Sequence, residues 1–426
     1  MIARFSAYGF LKNQRYFEPY IILAYLDAGL SFTMIGALAT ARVVCVNLFE
    51  VPSGVAADIF GRRRTMVVSL SAYVLSYAVF GTAFLLSSTS QETAASFILA
   101  LFFISEFFFS IGEAFRTGTH KSMIFDWLKR QNRANEKTAV YGTTRSWSKI
   151  GSAVCGVGSI VILLTTGEYH WLFWLSLVMT TACLINVATY PRYLDFSVDC
   201  EQQTAGGGGA GDIAKRYREW LADFKTVMRS RSVLGLFGES MGYEGVTKSV
   251  NVYIQPLLQT QAIALPVLLG LSLNDKDKTA LLVGIAFAII NIFSAFASKK
   301  SDAFAKQAGS LDRASGWLWL IAFVSGIGAF ISLYYKIWWV AILCFVIHIV
   351  FENVWRPILL SRLDGVGKSK TDATTLSIEA QTAHIFIAIS AITIGYLIDR
   401  LEVDLYPVGI VCDALALTIG LLRRNT

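Results

Sequence analysis

The chain has 426 residues and a formal net charge of +7; 54% of its residues are hydrophobic and only 16% are charged. Water-soluble proteins carry about 25% charged residues, so this chain has too little polar surface to cover a globule and must turn most of its exterior to lipid. Secreted, disordered and fibrous classes are excluded, and the placement of the positive charge excludes a nucleic-acid partner.

A helix needs ~20 apolar residues to cross the hydrocarbon core. Such stretches run in chain order at 10–30, 34–57, 65–88, 95–125, 138–165 and 170–190, then at 232–255, 279–298, 315–334, 337–360, 376–398 and 405–423. The fold class is therefore an all-α membrane protein of twelve transmembrane helices in two six-helix halves, 1–190 and 232–426. The first stretch carries Glu18, Pro19 and Asp27 and lacks a small-residue cleavage site, so it reads as a retained span. Residues 191–231 form a polar linker, flexible through Gly206–Gly209. The basic run Lys215–Arg231 that follows reads as a helix on anionic lipid or as a plain solvated connector. Six cysteines are scattered without paired spacing, which suits buried small residues better than disulfides or a metal cluster.

Basic residues collect in alternate loops. Arg4, Lys12 and Arg15 precede the clusters Arg62–Arg64, Lys129–Lys137 and Arg192–Arg231; Lys299–Arg313, Arg362–Lys370 and Arg423–Arg424 continue the series. The opposite loops hold only Lys276, Lys278, Lys336 and Arg400. The positive-inside rule then places both termini in the cytoplasm.

After the second span the chain reads Gly54-Val-Ala-Ala-Asp58-Ile-Phe-Gly61-Arg62-Arg63-Arg64. Glycines permit a tight turn there, and Asp58 can accept hydrogen bonds from a helix N-terminus or pair with an arginine. This segment resembles the loop 2–3 signature of the major facilitator superfamily, G-x-x-x-D-x-x-G-[RK]-x-[RK]. In that family the element governs conformational switching, so the resemblance assigns Gly54, Asp58, Gly61, Arg62, Arg63 and Arg64 to the transport cycle and not to solute choice. Glu50-Val-Pro-Ser-Gly54, Phe115–Thr119 with Ile124-Phe125-Asp126, and Pro357–Leu359 with Thr374–Glu379 look like a bacterial branch of the superfamily, which implies a multi-pass protein of the bacterial inner membrane. Span 5 reads Gly151-Ser-Ala-Val-Cys155-Gly156, without the Gly-Pro pair of many drug/proton antiporters.

Ionisable residues at membrane depth are costly and default to functional candidates. In span 4, Glu106, Glu113 and His120 share a helix face, with Arg116 beside them. In span 10, His348, Glu352 and Arg356 recur at i, i+4, i+8 beside Asn353. The superfamily resemblance places these helices on a central cavity. Span 7 adds Glu239, with no obvious partner, and Glu244, Lys248 at i, i+4. Glu18 and Arg42 complete the candidate set, and Arg42, Arg116, Arg145 and Lys149 outline a cationic inner wall. The competing reading is structural, with the same residues as ion pairs that fix packing.

These features point to a secondary active transporter that moves a small solute, anionic or zwitterionic, by alternating access with protons as coupling ion. Membrane lipids are its other partners and a monomer its expected state; no cofactor, metal or enzymatic residue set is expected. Drug or metal efflux, or a non-transporting receptor or scaffold on the same fold, stay open at this stage.

Overall fold

The structure, a computed structural model, describes residues 1–89, 95–117, 119–133, 136–195, 231–264, 273–366 and 372–401. Among them there is no strand. The helices are α1 (Ile2–Lys12), α2 (Ile21–Asp27), α3 (Phe32–Phe60), α4 (Arg62–Thr89), α5 (Ala95–Arg116), α6 (Thr119–Arg130), α7 (Lys137–Thr166) and α8 (His170–Ala188). They continue as α9 (Arg231–Ala264), α10 (Asp275–Ala308), α11 (Leu311–Tyr334), α12 (Trp338–Val366) and α13 (Asp372–Leu401). Among the described residues, nine helical stretches are long and apolar enough to cross a membrane. The expected span at 405–423 and most of the linker, 196–230, lie outside the described residues.

Two expected spans each carry two described helices. The first is α1 and α2 joined by a bend and a 3-10 turn at Glu18–Tyr20. The polar run Asn13-Gln14-Arg15 ends α1, where Asn13 and Gln14 donate to the α7 carbonyls of Ser148 (2.8 Å) and Gly151 (3.2 Å). Pro19, which has no amide hydrogen to give, sits at the start of the turn. The fourth is covered by two described helices, α5 and α6, whose junction at residue 118 lies outside the described residues.

Contacts group the chain into two compact units, Met1–Ala24 with Ala41–Ala214, and Tyr25–Thr40 with Lys215–Thr426. Helix α3 therefore begins in the second unit and continues in the first. In the first unit α4 packs against α5 and α8, and α1 packs against α7. Its aromatic core joins Phe17, Tyr77, Phe80, Phe84 and Phe173, with Phe17 and Phe173 stacked at 4.6 Å. In the second unit α12 packs on α10 and α11, and α9 on α13. Tyr243 sits at its centre, stacked on Trp355 at 4.6 Å and edge-on to Trp319. On α10, the exposed residues Ile285, Ile289, Ile292, Phe293 and Phe296 recur at helical spacing, the pattern of a face turned to lipid.

The start of α3 is fixed within the second unit by Asp399 of α13. Its carboxylate accepts from the amides of Phe32 (3.1 Å) and Thr33 (2.7 Å) and from the Thr33 hydroxyl (2.5 Å). It thus serves as an N-cap supplied by another helix. The two helices meet backbone to backbone: a Cβ at Gly395 would lie 2.3 Å from the Phe32 carbonyl oxygen, and one at Gly36 2.6 Å from that of Ala391. Gly36→Ala and Gly395→Ala are each expected to destabilise the protein by about 1–3 kcal/mol through overpacking. Among the described residues, a Cβ at Gly238 meets nothing within 4 Å, so Gly238→Ala should leave the melting midpoint of the purified protein unchanged or raise it. Thermal unfolding in detergent measures all three.

Candidate functional site

The first unit holds two carboxylates on α5, one buried and one half-buried. Glu106, only 1% exposed, receives Arg42 of α3 as a fork, Nε to one oxygen and Nη2 to the other, both at 2.5 Å. Two turns further along, Glu113 is held by Arg15 at 3.2 Å, by Arg116 and by the hydroxyl of Tyr73, which donates to it. Arg15 also donates to the Tyr73 hydroxyl at 3.0 Å. Arg15 and Arg42 both lie over the ring of Phe109, at 5.1 and 4.4 Å, where the ring quadrupole favours cations.

Arg42, one of the cations expected on the inner wall, pairs with Glu106. Arg15 and Tyr73 were not singled out by the sequence. The break after α1 swings Arg15 off the helical track and onto Glu113. An arginine inside an expected span, four residues before a proline, was the available signal for it.

His120 is buried on α6. Its ring stacks on Tyr8 at 3.8 Å, meets Phe5 edge-on, and places Nε2 3.5 Å from the Tyr190 hydroxyl. Glu18 is exposed in the 3-10 turn, within the field of Arg15.

Beside this network lies a cavity of about 400 Å³, lined by Phe5, Tyr8, Gly9, Lys12, Asn13, Arg116, His120, Lys121, Thr144, Ser148 and Lys149. Four of these side chains are cationic and none is acidic. At 1.5 Å rise per residue, Lys12, Lys121 and Ser148 stand roughly 14–17 Å from the ends of α1, α6 and α7 that carry the basic loops.

The signature segment forms the α3–α4 turn. Gly61 has φ +95°, a left-handed conformation that glycine alone adopts without strain. A side chain there would also strike Asp195, whose Cβ lies 2.8 Å from the position of an added Cβ. Asp195 accepts from the amide of Arg64 (3.3 Å) and pairs with Arg63 (3.4 Å), and its carbonyl accepts from the Arg62 amide (2.7 Å). Arg62 pairs with Asp126 of α6, and Arg64 is exposed. Gly54 lies inside α3, and nothing among the described residues comes within 4 Å of an added Cβ. The side chains of Asp58, Arg145 and Asn251 lie outside the described residues.

In the second unit Arg356 of α12 grips Glu379 of α13 with two bonds, 2.6 and 2.9 Å, and reaches Glu244 of α9 at 2.9 Å. Glu379 is fully buried and also accepts from Ser240; Lys248 pairs with Glu244 at 2.5 Å. Glu239, expected without a partner, accepts from Arg362 (2.5 Å) and Ser315 (3.1 Å). The expectation failed because α12 runs on to Val366, which carries Arg362 alongside α9 instead of into a loop. His348 is buried, with Nδ1 3.4 Å from the Ser325 hydroxyl and its ring stacked on Tyr243. Asn353 donates back to the Ile349 carbonyl. Glu352 differs from the other carboxylates of the candidate helices: among the described residues it makes no ion pair, although Glu244, Lys248 and Arg356 all act on it. Among the described residues no group of three His, Cys, Asp or Glu side chains could hold a metal ion.

The Major Facilitator Superfamily profile matches residues 1–370. The chain belongs to the major facilitator superfamily. It is an integral, multi-pass membrane transporter and not an enzyme. Solved structures share its fold: a point mutant of the nucleoside transporter NupG aligns at a TM-score of 0.73 and 12% identity, covering 100% of this chain and 99% of that one. A POT family transporter in complex with 5-aminolevulinic acid follows at 0.71 and 16%, covering 100% and 96%. A D-xylose-proton symporter aligns at 0.68 and 14%, covering 98% and 95%. No curated protein sequence matches the chain significantly.

Removing one member of a buried ion pair strands the other, at about 3–5 kcal/mol. Glu379→Leu is therefore expected to destabilise this superfamily member by roughly that amount. Adding Arg356→Met should recover much of the loss, since Glu244 keeps Lys248. A thermal double-mutant cycle measures the coupling; additive losses would show that the pair is not the source.

Proposed function

We propose that this transporter moves a small anionic or zwitterionic solute by alternating access, driven by the proton gradient, across a bacterial inner membrane. Its two six-helix halves, 1–190 and 232–426, rock about the charged helices, and the linker 191–231 joins them on the cytoplasmic side with both termini. The cavity carries this reading: Lys12, Arg116, Lys121 and Lys149 converge on one space with no carboxylate among its described lining residues, a setting that favours an anionic group. The solutes in two structural relatives, 5-aminolevulinic acid and D-xylose with a proton, fit a small polar cargo, and the symporter supports proton coupling.

Glu352 is the proton carrier in this scheme. Arginine forks occupy both oxygens of Glu106 and of Glu379, whereas Glu352 has no such fork among the described residues. Ionised, it competes with Glu244 and Glu379 for Arg356 and Lys248; protonated, it releases them. Its protonation therefore changes the pairing of α9, α12 and α13, which is the kind of differential interaction a conformational step requires.

Proteoliposomes loaded at high internal pH and given an inward proton gradient test the scheme with radiolabelled 5-aminolevulinate, succinate and phenyl phosphate. Accumulation above equilibrium that collapses with a protonophore is expected for at least one of them. Glu352→Gln should abolish accumulation while leaving solute exchange within about twofold of wild type. Gradient-driven accumulation by Glu352→Gln would remove this residue from the coupling step.

A further inference from the structure

We propose that the aromatic core around Tyr243 is a binding site for ordered internal water, and that through this water Glu352 exchanges its proton with His348. The inference rests on the proton-carrier reading of Glu352 and adds the partner that reading lacks.

Tyr243 of α9 is stacked on Trp355 of α12 at 4.6 Å, lies edge-on to Trp319 of α11 at 5.2 Å, and faces the His348 ring of α12 at 5.6 Å. These residues are 1%, 0%, 9% and 6% exposed in that order. Each also keeps a buried polar atom without a hydrogen-bond partner among the described residues. They are the Tyr243 hydroxyl, the Nε1–H groups of Trp319 and Trp355, and Nε2 of His348. A buried polar atom left unpaired is costly, and a native core holds few of them. Four on one set of touching rings call for a common partner.

The mixture of donors and acceptors identifies that partner. The two indoles can only donate. The Ser325 hydroxyl gives its hydrogen to the Ala322 carbonyl at 2.9 Å, so it meets Nδ1 of His348, 3.4 Å away, with a lone pair. The ring proton therefore sits on Nδ1, and Nε2 is left as an acceptor. The tyrosine hydroxyl can do either. A metal cation would be opposed by the two N–H groups, and an inorganic anion by the Nε2 lone pair. Water accepts from the indoles and donates to Nε2 and to the phenol oxygen, and buried water takes such mixed sites.

Glu352 lies four residues after His348 and three before Trp355, on the same face of α12. Its carboxylate acts on the Tyr243 hydroxyl. The charges around it are Glu244 and Lys248 of α9 and Arg356 of α12. Lys248 pairs with Glu244, on which His384 of α13 also acts, and Arg356 is gripped by Glu379 of α13. The base that water can reach is then Nε2. A proton leaving the Glu352 carboxyl enters the water, and the water gives one to Nε2 while Nδ1 keeps its own. A carboxylate and an imidazolium result, one helical turn apart, and the reverse transfer restores both neutral groups.

Hydroxyl-radical footprinting of the full-length protein in nanodiscs, with the radicals made by X-rays, reads the site without any solute. Radicals born from internal water oxidise the side chains beside it. Tyr243 is expected to be modified about tenfold faster than Tyr20, which is as deeply buried, with Trp319 and Trp355 modified alongside it. Trp355→Phe keeps the ring stack and removes one donor, so it should slow modification of Tyr243 several-fold. Modification of Tyr243 no faster than that of Tyr20 would overturn the proposal.

Proteoliposomes read the transfer, using the solute of the panel above that the wild type accumulates. His348→Gln keeps a hydrogen-bond acceptor but takes up no proton, and Tyr243→Phe keeps the ring without its hydroxyl. Each should slow proton-driven accumulation about tenfold, with solute exchange within about twofold of wild type and an unchanged melting midpoint. A packing role would lower the midpoint and depress exchange together with accumulation. That result, or wild-type accumulation by both variants, also overturns the proposal. Accumulation by Glu352→Gln overturns the carrier reading and the transfer together. Glu352→Gln uncoupled with His348→Gln still coupled overturns the transfer alone.

Discussion

The pairing of arginine with carboxylate inside apolar helices is the constraint on which the rest depends. A lone charge at membrane depth costs several kcal/mol, yet the apolar helices of this chain bury a series of carboxylates. Glu106 with Arg42, Glu113 with Arg15 and Arg116, and Glu379 with Arg356 each join two or three helical segments. Because a fork between guanidinium and carboxylate demands one geometry, the Arg42–Glu106 pair sets the rotation of α3 against α5 in the first unit. In the second the pairs of Arg356 do the same for α9, α12 and α13. Apolar packing alone would leave those rotations soft, since lipid is as hospitable to leucine as another helix is.

Once the forks are accounted for, the remaining ionisable groups have a different character. Among the described residues, Glu352 lies in the field of its neighbours without an ion pair to any. Lys12, Lys121 and Lys149 line one cavity, whose described lining residues include no acid. Charges that fix structure come as closed pairs; charges that serve a cycle must be able to exchange partners. The division between the two sets follows from geometry and was not visible in spacing, because Glu106, Glu113 and Glu352 look alike as glutamates on apolar helices.

The spans themselves were legible, and for a physical reason. Hydrocarbon thickness imposes length and composition on each helix separately, so stretches such as 138–165 and 315–334 reappear as α7 and α11 with ends moved by only a few residues. The cavity's Arg116, His120 and Lys149 were also within reach of the sequence. What local pattern could not show were partners supplied by other helices. Arg15 looked like a flanking basic residue until the bend after α1 turned it inward. Arg362 looked like a loop charge until α12 proved long enough to bring it to Glu239. Gly54 and Gly61 belong to one signature, yet only Gly61 occupies a conformation that requires glycine.

The same non-local logic governs the helix ends of the α3–α4 hairpin. A helix leaves its first amides unbonded, and a nearby Ser, Thr, Asp or Asn usually takes them. Helix α4 is preceded by Gly61, which has no side chain to offer, and its first turn is Arg62-Arg63-Arg64, which brings positive charge to the positive end of the helix dipole. Taken locally, this is a poor start for a helix. Asp195, more than a hundred residues downstream, corrects it by accepting from the Arg64 amide and pairing with Arg63. Asp399 does the equivalent for α3 through Phe32 and Thr33. A helix capped by its own residue keeps its cap however the surroundings move. A helix capped from elsewhere holds it only while the two elements stay together, so α3 and α4 tie their own stability to the arrangement of α13 and of the segment after α8. That dependence suits a hairpin whose signature the superfamily associates with switching, because it makes the helix ends sensitive to the positions of distant parts of the chain.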